Sequence, residues 1–201
     1  MGTKAERTKH QIIAEAATLF NQKGYSGTSL TDILDATGLS KGGLYGHFKG
    51  GKDELAIASF QYAVALTYEL IGKRTHEICN TLDKLKSVVA FYREHLFDPP
   101  IEGGCVIQNF SVEADDLYPE LYAEVKSVVL DWENRICYTI QKGIERGEIR
   151  ADVDAAAFAI YFIGAIEGGI LLSRIKGSTK PYDLIVEPLL ERLEGMRPIE
   201  N

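Results

Sequence analysis

The chain has 201 residues, of which 45% are hydrophobic, and it carries a formal net charge of −7 at pH 7. This length and apolar content suffice for a sizeable buried core in one or two domains, and they exclude an intrinsically disordered chain. The three cysteines, Cys79, Cys105 and Cys137, are widely spaced and odd in number. Neither a disulfide framework nor a zinc knuckle is therefore expected.

The charge is distributed unevenly along the chain. Residues 1–52 contain seven Lys or Arg and four Asp or Glu, a balance of +3, so the remaining residues carry −10. A basic N-terminal segment ahead of an acidic body is typical of a module that docks on phosphates. Uneven solvated surface charge would give the same numbers, so the distinction depends on the motifs within residues 1–52.

Apolar residues recur at helical spacing along almost the whole chain, and no alternating strand pattern of useful length occurs. This periodicity predicts an all-α fold. The first helix is expected from about Ala5 to Gln22, ended by Gly24. Residues 28–52 then indicate two short helices joined by a tight turn at Gly38, which is a helix-turn-helix.

The second helix of this motif carries residues suited to DNA. Ser40 is its expected N-cap, and Leu44 and Phe48 are spaced to face the preceding helix. The residues between them then point outward, where lysine neutralises phosphate or meets a guanine edge, Tyr and His donate to phosphates, and glycine lets the backbone approach the groove. The candidate DNA-binding residues are Thr28, Ser29, Ser40, Lys41, Gly42, Gly43, Tyr45, His47 and Lys52.

Residues throughout this segment also follow a known pattern: Gly24-Tyr25, Thr28, Ile33, Gly38-Leu39-Ser40-Lys41-Gly42, Leu44-Tyr45, His47-Phe48 and Lys52. The pattern resembles the TetR family of repressors. The resemblance implies a three-helix DNA-binding head over residues 1–51 and a larger helical ligand-binding and dimerisation domain over residues 52–201. Two positions depart from it. Lys52 follows the His-Phe pair at the fourth position where the family usually has the third, and Gly46 replaces a larger groove-facing side chain of many relatives.

The body is expected to be helical throughout. Asp98-Pro99-Pro100 should halt one helix, Gly103-Gly104-Cys105 should open a short one, and Pro119 and Pro181 should begin two more. The expected body helices run from Lys52 to Gly72, from Leu82 to Phe97, from Cys105 to Ala114, from Pro119 to Gly147, from a cap at Asp152 or Asp154 to Ile175, and from Pro181 onward.

The apolar stretch Ala155–Leu172 is nearly long enough for a transmembrane helix. Glu167, three interrupting glycines and the lack of positive residues before it favour a helix buried in a bundle, so no membrane partner is expected. The TetR resemblance implies that the last two long helices pair with a partner subunit. The small residues from Gly164 to Gly169 then form a dimer interface or fill the monomer core.

The segment Gly103–Glu113 resembles the "Gly-Cys … Asn … Glu" segment of a TetR subgroup that includes sensors of electrophiles and reactive carbonyls. A thiol near a helix N-terminus is favoured as the reactive thiolate, whereas a buried cysteine behaves as a small hydrophobe. Glu113 with Asp115 and Asp116 either meets a cationic ligand or forms a solvated face. The candidate effector-binding or sensing residues are Cys105, Asn109, Phe110, Glu113, Trp132 and Tyr161.

These features together predict a ligand-responsive transcriptional repressor that binds a near-palindromic operator in double-stranded DNA as a homodimer and is released by a small-molecule or electrophile effector. One alternative is a thiol-dependent enzyme using Cys105 with His95 or His76, but no catalytic, metal-ligand or cofactor motif accompanies them. The other is a constitutive DNA-binding protein, disfavoured because a body of about 150 residues exceeds what dimerisation requires. The charged N-terminus lacks an apolar signal core, which predicts a cytoplasmic protein. No enzymatic activity and no cofactor are expected.

Overall fold

The computed structural model describes residues 3–198, apart from the side chains of residues 115–117. Within this part of the chain the secondary structure consists of helices, without strands, so the all-α prediction is confirmed. The helices are α1 (Lys4–Gly27), α2 (Leu30–Thr37), α3 (Lys41–His47), α4 (Gly51–Thr75), α5 (Thr81–Glu94), α6 (Val106–Leu117), α7 (Pro119–Glu145), α8 (Ala155–Lys176) and α9 (Lys180–Glu194).

Local capping explains most of the helix starts near the DNA-binding motif. Ser29 begins α2 in a capping box with Asp32, and Ser40 begins α3 by accepting a hydrogen bond from the backbone N–H of Gly43. Gly38 ends α2 at φ 65°, a left-handed conformation that favours glycine. The predicted turn at Gly38 and the predicted cap at Ser40 are both confirmed.

Two sequence expectations about helix ends are wrong. Helix α4 continues past Gly72 to Thr75, since Gly72 keeps an ordinary helical backbone. Helix α5 ends at Glu94 and not at Phe97, because His95 leaves helical geometry before the two prolines are reached. Cys79 lies exposed in the connection between α4 and α5.

The chain packs as two compact units. The first contains the chain up to Tyr68 together with Pro99–Val128, and the second contains Glu69–Asp98 and the chain from Val129. Helix α6 belongs to the first unit because it packs on α1. The packing units therefore differ from the predicted functional domains, 1–51 and 52–201, which remain a prediction about function.

The core of the first unit is built around aromatic side chains. Phe110 of α6 is buried, and its ring lies 5.1 Å from that of Phe60 in α4 and 6.4 Å from that of Phe20 in α1, measured between centroids. Leu44 and Phe48 are fully buried in the same core. Burial of these large apolar groups fixes α6 against the helix-turn-helix segment.

The core of the second unit is centred on α8 and α9. Tyr182 is fully buried, and its hydroxyl donates to the carbonyl of Val89 at 2.8 Å. Its backbone N–H donates to the hydroxyl oxygen of Ser173 at 2.9 Å. Gly169 must be glycine, since a Cβ there would lie 2.7 Å from the Tyr182 ring. Helices α4 and α8 are long and apolar enough to span a membrane, and 33% and 39% of their most apolar 18-residue segments are buried in this structure. Core helices of other proteins share this length and apolarity.

Candidate DNA-binding interface and the α6 anchor

Helix α3 presents the residues that the sequence predicted to face outward. Leu44 and Phe48 are fully buried, and Ile33 of α2 packs in the same core. Lys41 and Gly42 are exposed, Tyr45 is 43% exposed, and His47 is half-buried. One face of α3 thus packs into the core, and the opposite face is accessible to an external partner.

Thr28 and Ser29 have local structural roles at the entry to α2. Thr28 is fully buried, and its hydroxyl donates to the carbonyl of Gly24 at 2.7 Å, so its side chain does not reach the surface. Ser29 is exposed and caps α2 through Asp32. The Lys23 ammonium, 2.5 Å from Asp32, together with the Ser29 hydrogen bonds, holds the pKa of that carboxyl well below its usual range.

Lys52 sits at the start of α4 with its position restrained by Tyr25. Its ammonium lies 4.1 Å from the centroid of the Tyr25 ring, a cation–π contact, and partial burial lowers its pKa. The hydroxyl of Tyr25 donates to Asp53, and burial together with this carboxylate raises the tyrosine pKa. The lysine charge is consequently held close to the N-terminus of α4.

Asn21 connects α1 to the loop that precedes α6. Its side chain is 3% exposed, and its amide donates to the carbonyls of Glu102 at 2.9 Å and Gly104 at 3.1 Å. Its side-chain oxygen accepts from the amide of Asn109 at 2.9 Å. Gly103 lies against it at φ 119°, where a Cβ would come within 2.5 Å of the Asn21 carbonyl oxygen.

Glu113 makes a second connection between α6 and α1. Its carboxylate accepts from the backbone N–H groups of Tyr25 and Ser26, directly after Gly24 breaks α1 at φ 75°. A Cβ at Gly24 would lie 2.6 Å from this carboxylate. The contacted residues of α1 lie shortly before Thr28, which precedes α2. The two connections therefore attach α6 to the chain immediately ahead of the helix-turn-helix.

Comparison with known protein families identifies both parts of the chain. A model described as "Bacterial regulatory proteins, tetR family" matches residues 12–58, and a model described as "Tetracyclin repressor-like, C-terminal domain" matches residues 81–189. The protein belongs to the TetR family of transcriptional regulators. The resemblance seen in the sequence is thereby confirmed.

Solved structures and a curated relative agree with this assignment. A TetR transcriptional regulator from Chloroflexus aurantiacus is 37% identical with a TM-score of 0.90, the match covering 95% of this chain and 96% of that one. A TetR-family regulator from Cytophaga hutchinsonii is 30% identical with a TM-score of 0.90, covering 100% of both chains. The transcriptional repressor DhaR of Mycobacterium sp. strain GP1 is 25% identical over 189 residues, covering 92% of this chain and 91% of that protein.

The predicted effector residues of this TetR-family chain are divided between the two units. Asn109, Phe110 and Glu113 lie in the first unit, where the polar pair is engaged with α1 and Phe110 is core. Trp132 and Tyr161 belong to the second unit. Trp132 is buried with its ring 5.7 Å from that of Tyr92, and Tyr161 is 37% exposed beneath Arg192.

Cys105 is the N-cap residue of α6 and is half-buried, and its thiol does not cap the helix. It follows Gly103, whose carbonyl accepts from the Asn109 amide, and Gly104, whose carbonyl accepts from the Asn21 amide. Any displacement of Cys105 therefore acts on the residues that hold α6 to α1. The side chains of Asp115 and Asp116, grouped with Glu113 in the sequence, lie outside the described residues.

Two clefts open on the individual units. One of about 810 Å³ lies between α5 and α9, where Arg93 pairs with Asp183 and Lys86 with Glu194. A smaller one of about 390 Å³ is bounded by Tyr25, Asp53 and residues 118–121. Neither is lined by a predicted effector residue.

Sequence reasoning missed Asn21. Its signal was available, because an asparagine follows Phe20 on the apolar side of α1, and a buried amide needs several hydrogen-bond partners. What the sequence did not supply was the identity of those partners, which lie 80 or more residues away in the chain.

Proposed function

We propose that this TetR-family protein is a homodimeric, ligand-responsive transcriptional repressor that binds a near-palindromic operator. The observation that carries the proposal is the outward face of α3, where Lys41, Tyr45 and His47 stand on a helix whose other face is locked into the core by Leu44 and Phe48. Such a surface suits phosphate contacts and base-edge reading in a major groove.

The residues proposed to contact DNA are those that the structure leaves accessible. Ser29 and Ser40 are exposed caps of α2 and α3, and Lys52 is placed by Tyr25 at the start of α4. Thr28 supports the same surface from inside, since its side chain is buried. The proposed DNA-contact set is Ser29, Ser40, Lys41, Gly42, Gly43, Tyr45, His47 and Lys52.

A mobility-shift screen tests this directly. Genomic fragments flanking the gene, each competed with bulk DNA at moderate salt, are expected to include at least one that is retained preferentially. Retention should weaken as salt is raised, because binding releases counterions from the phosphates. A protein that retains no fragment above the level of bulk DNA would refute the proposal.

The outer face of α8 supports dimerisation. Ile160, Leu171, Leu172 and Ile175 are exposed, with Ile175 at 73%, and Leu184 of α9 is 59% exposed. Isolated apolar side chains on a surface are common, but a contiguous helical face of this kind marks an interface. The proposed partner is a second copy of the chain, because helix-turn-helix proteins generally bind two half-sites about one DNA turn apart as dimers.

The glycines of α8 separate into two groups with different roles. Gly169 packs against Tyr182, and the neighbouring Ala165, Ile166 and Ile170 are buried, so these residues fill the core of the unit. At Gly164 and Gly168 a Cβ would meet no atom within 4 Å. Close approach of a partner helix explains glycine at these two positions, which the unit itself does not require.

The proposed release mechanism acts through α6. An effector or thiol modification that shifts Cys105 or the α6 N-terminus would alter the contacts that Asn21 of α1 makes with this segment and those that Glu113 makes with the α1 backbone. Such a change would favour a head arrangement that no longer fits successive major grooves. The proposed sensing residues are Cys105, Trp132 and Tyr161. Asn109, Phe110 and Glu113 are assigned to positioning α6 and not to effector contact.

The family assignment also supports location in the cytoplasm, where operator DNA is found in bacteria. The apolar length of α4 and α8 is explained by their buried residues in the two cores and by the proposed dimer face, without a membrane. We expect no enzymatic activity and no resident cofactor.

A further inference from the structure

The cleft of about 390 Å³ in the first unit lies where the end of α1, the first two turns of α4 and the junction of α6 with α7 meet. Part of its lining is apolar, since Ala56 and Leu121 are buried and Ile57 is half-buried. Its volume falls at the lower end of the range for small-molecule sites. The lining residues are Tyr25, Asp53, Ala56, Ile57, Tyr118, Pro119, Glu120 and Leu121.

The charged part of this lining is acidic. Asp53 and Glu120 contribute carboxylates, and the described residues that line the cleft include no lysine, arginine or histidine. Two negative charges without a positive one repel an anionic ligand and attract a cation. A metal ion is a poor occupant, because the described residues contain no group of three or more His, Cys, Asp or Glu side chains that could hold one.

Two tyrosine rings stand beside these carboxylates. The centroids of the Tyr25 and Tyr118 rings are 4.2 Å apart, with an angle of 59° between the ring planes. The Tyr25 hydroxyl donates to Asp53, and the Tyr118 hydroxyl lies 3.3 Å from the hydroxyl of Ser26. These hydrogen bonds hold both rings in place, so the aromatic wall is formed before any ligand arrives.

This wall already binds one cation of the chain itself. The Lys52 ammonium lies 4.1 Å from the centroid of the Tyr25 ring, although Lys52 is not a lining residue of the cleft. Aromatic faces attract ammonium groups through the ring quadrupole. Asp53 and Glu120 together carry more negative charge than this single ammonium neutralises, which leaves the cleft suited to a second cation.

We propose that the cleft is a binding site for a small organic cation, namely an ammonium group that carries an apolar substituent. The charged end is held by the tyrosine rings and the two carboxylates, and the substituent packs on Ile57 and Leu121. The site is separate from the proposed sensing residues Cys105, Trp132 and Tyr161, none of which lines it. Its occupancy is also independent of operator binding.

Benzyltrimethylammonium is the probe for this site, and it is titrated into the full-length protein at low salt. Saturable binding is expected, with a dissociation constant of about 1 mM or lower. Benzyl alcohol, which is neutral, and benzenesulfonate, which is an anion, should each bind at least about tenfold more weakly, because neither gains from the rings and carboxylates.

Nuclear Overhauser effects locate the probe in a sample with labelled isoleucine methyl groups. The trimethylammonium protons or the phenyl protons should show contacts to the methyl groups of Ile57, whose signal is identified by its loss in Ile57→Val. This readout reports the position of the bound cation and does not depend on any effect on stability.

Glu120→Gln is the matching substitution in the protein, since it removes one negative charge and preserves the size of an exposed side chain. It should weaken binding of benzyltrimethylammonium roughly fivefold, as expected for the loss of one nearby charge in a solvated site. Glu145→Gln is the control, because it removes an exposed carboxylate of the same helix in the second unit. Its affinity for the probe should equal that of the wild type.

Several outcomes would overturn the cation site. Probe contacts to Ile136 or Ile140, without contacts to Ile57, would place the cation in the second unit. Equal affinity of Glu120→Gln and Glu145→Gln would show that the carboxylate plays no part. Benzyl alcohol binding as tightly as the probe would reduce the cleft to an unselective apolar surface, and an absence of saturable binding would exclude the site altogether.

Discussion

Asn109 donates its side-chain amide to the side-chain oxygen of Asn21 at 2.9 Å, and the same amide reaches the Asn21 backbone carbonyl at 3.0 Å. This pair joins the first turn of α6 to the last turn of α1 before the break at Gly24, across 88 positions of sequence. Glu113 attaches the next turns of α6 to the backbone just after Gly24. Helix α6 is thus fastened at two points to the helix that leads into the DNA-binding motif.

The first prediction concerns Asn109→Ala. The substitution leaves the buried Asn21 oxygen without its amide partner, and an unsatisfied buried polar group costs about 1–3 kcal/mol. We expect the urea midpoint to fall accordingly, and operator affinity to fall as well, because the connection between α6 and α1 is weakened.

Asn80→Ala is the control for Asn109→Ala. Asn80 caps α5 in the second unit by accepting from the N–H of Asp83 at 3.1 Å, and losing such a cap costs about 1 kcal/mol. Its operator affinity should equal that of the wild type. If both variants bind operator equally, the Asn21–Asn109 contact contributes only to stability.

The second prediction concerns the dimer. Leu172→Glu places two like charges in the proposed interface, whereas Val112→Glu alters a residue of α6 that is 82% exposed. At micromolar concentration, sedimentation velocity should show a monomer for Leu172→Glu and a dimer for both the wild type and Val112→Glu. A Leu172→Glu protein that sediments as the wild type does would place the interface elsewhere.

The third prediction concerns Cys105 as a sensor. Burial, with the charges of Glu133 and Asp154, raises the pKa of the Cys137 thiol and slows its reaction, whereas Cys105 stands at a helix N-terminus that favours thiolate. Cys79 is exposed, so timed alkylation is best followed by mass spectrometry in a Cys79→Ser background. Cys105 should be labelled before Cys137, and electrophile treatment should release operator.

Cys105→Ser completes this test. It should keep operator binding and lose the response to electrophile. Release of DNA by the Cys105→Ser protein, or faster labelling of Cys137, would rule out thiol sensing and favour a reversibly bound effector in the body.

The fourth prediction is a pH dependence centred on Glu148. Its carboxylate accepts from the backbone N–H and the hydroxyl of Thr81, both at 2.7 Å, and these bonds hold its pKa below the ordinary value. A carboxylate with a lowered folded pKa adds stability that is present above its unfolded pKa and is lost as the pH falls through the folded one. This contribution should therefore begin to fall below the ordinary glutamate pKa of about 4.3, and it should be lost at pH values below the folded pKa.

Glu148→Gln isolates that contribution. Relative to the wild type it should lower the free energy of unfolding by about 1 kcal/mol at pH 7, and by much less at pH 3.5. Glu145→Gln, which removes only an exposed partner of Lys142, should cost less than about 0.5 kcal/mol at either pH. A Glu148→Gln deficit that stays constant between these pH values would contradict the assignment.

The sequence predicted those features that short-range chemistry determines. Ser40, Leu44 and Phe48 form a cap and a buried face within nine residues, so spacing alone located α3 and its outward surface. Sequence spacing failed where distant residues decide the outcome. The roles of Asn109 and Glu113 depend on Asn21 and on the break at Gly24, contacts that no local pattern encodes.

Helix ends were the other source of error. His95 leaves the helix before Asp98-Pro99-Pro100, because the helix-breaking effect of proline sets only the latest possible end. Thr28 was predicted to contact DNA because it matched the family pattern. Its hydroxyl instead donates to the Gly24 carbonyl inside the first unit. The division of the α8 glycines into core and surface required the position of Tyr182.

The central claim, that α3 binds operator DNA, is tested most directly by fluorescence anisotropy titrations of the selected duplex over a range of salt concentrations. The wild type should bind the operator at least about a thousandfold more tightly than a scrambled duplex, with affinity falling as salt rises. Lys41→Ala should bind more weakly and with a shallower salt dependence, while Lys126→Ala, an exposed lysine of α7, should match the wild type. Equal affinity of the wild type for operator and scrambled duplex, or no difference between Lys41→Ala and Lys126→Ala, would contradict the account.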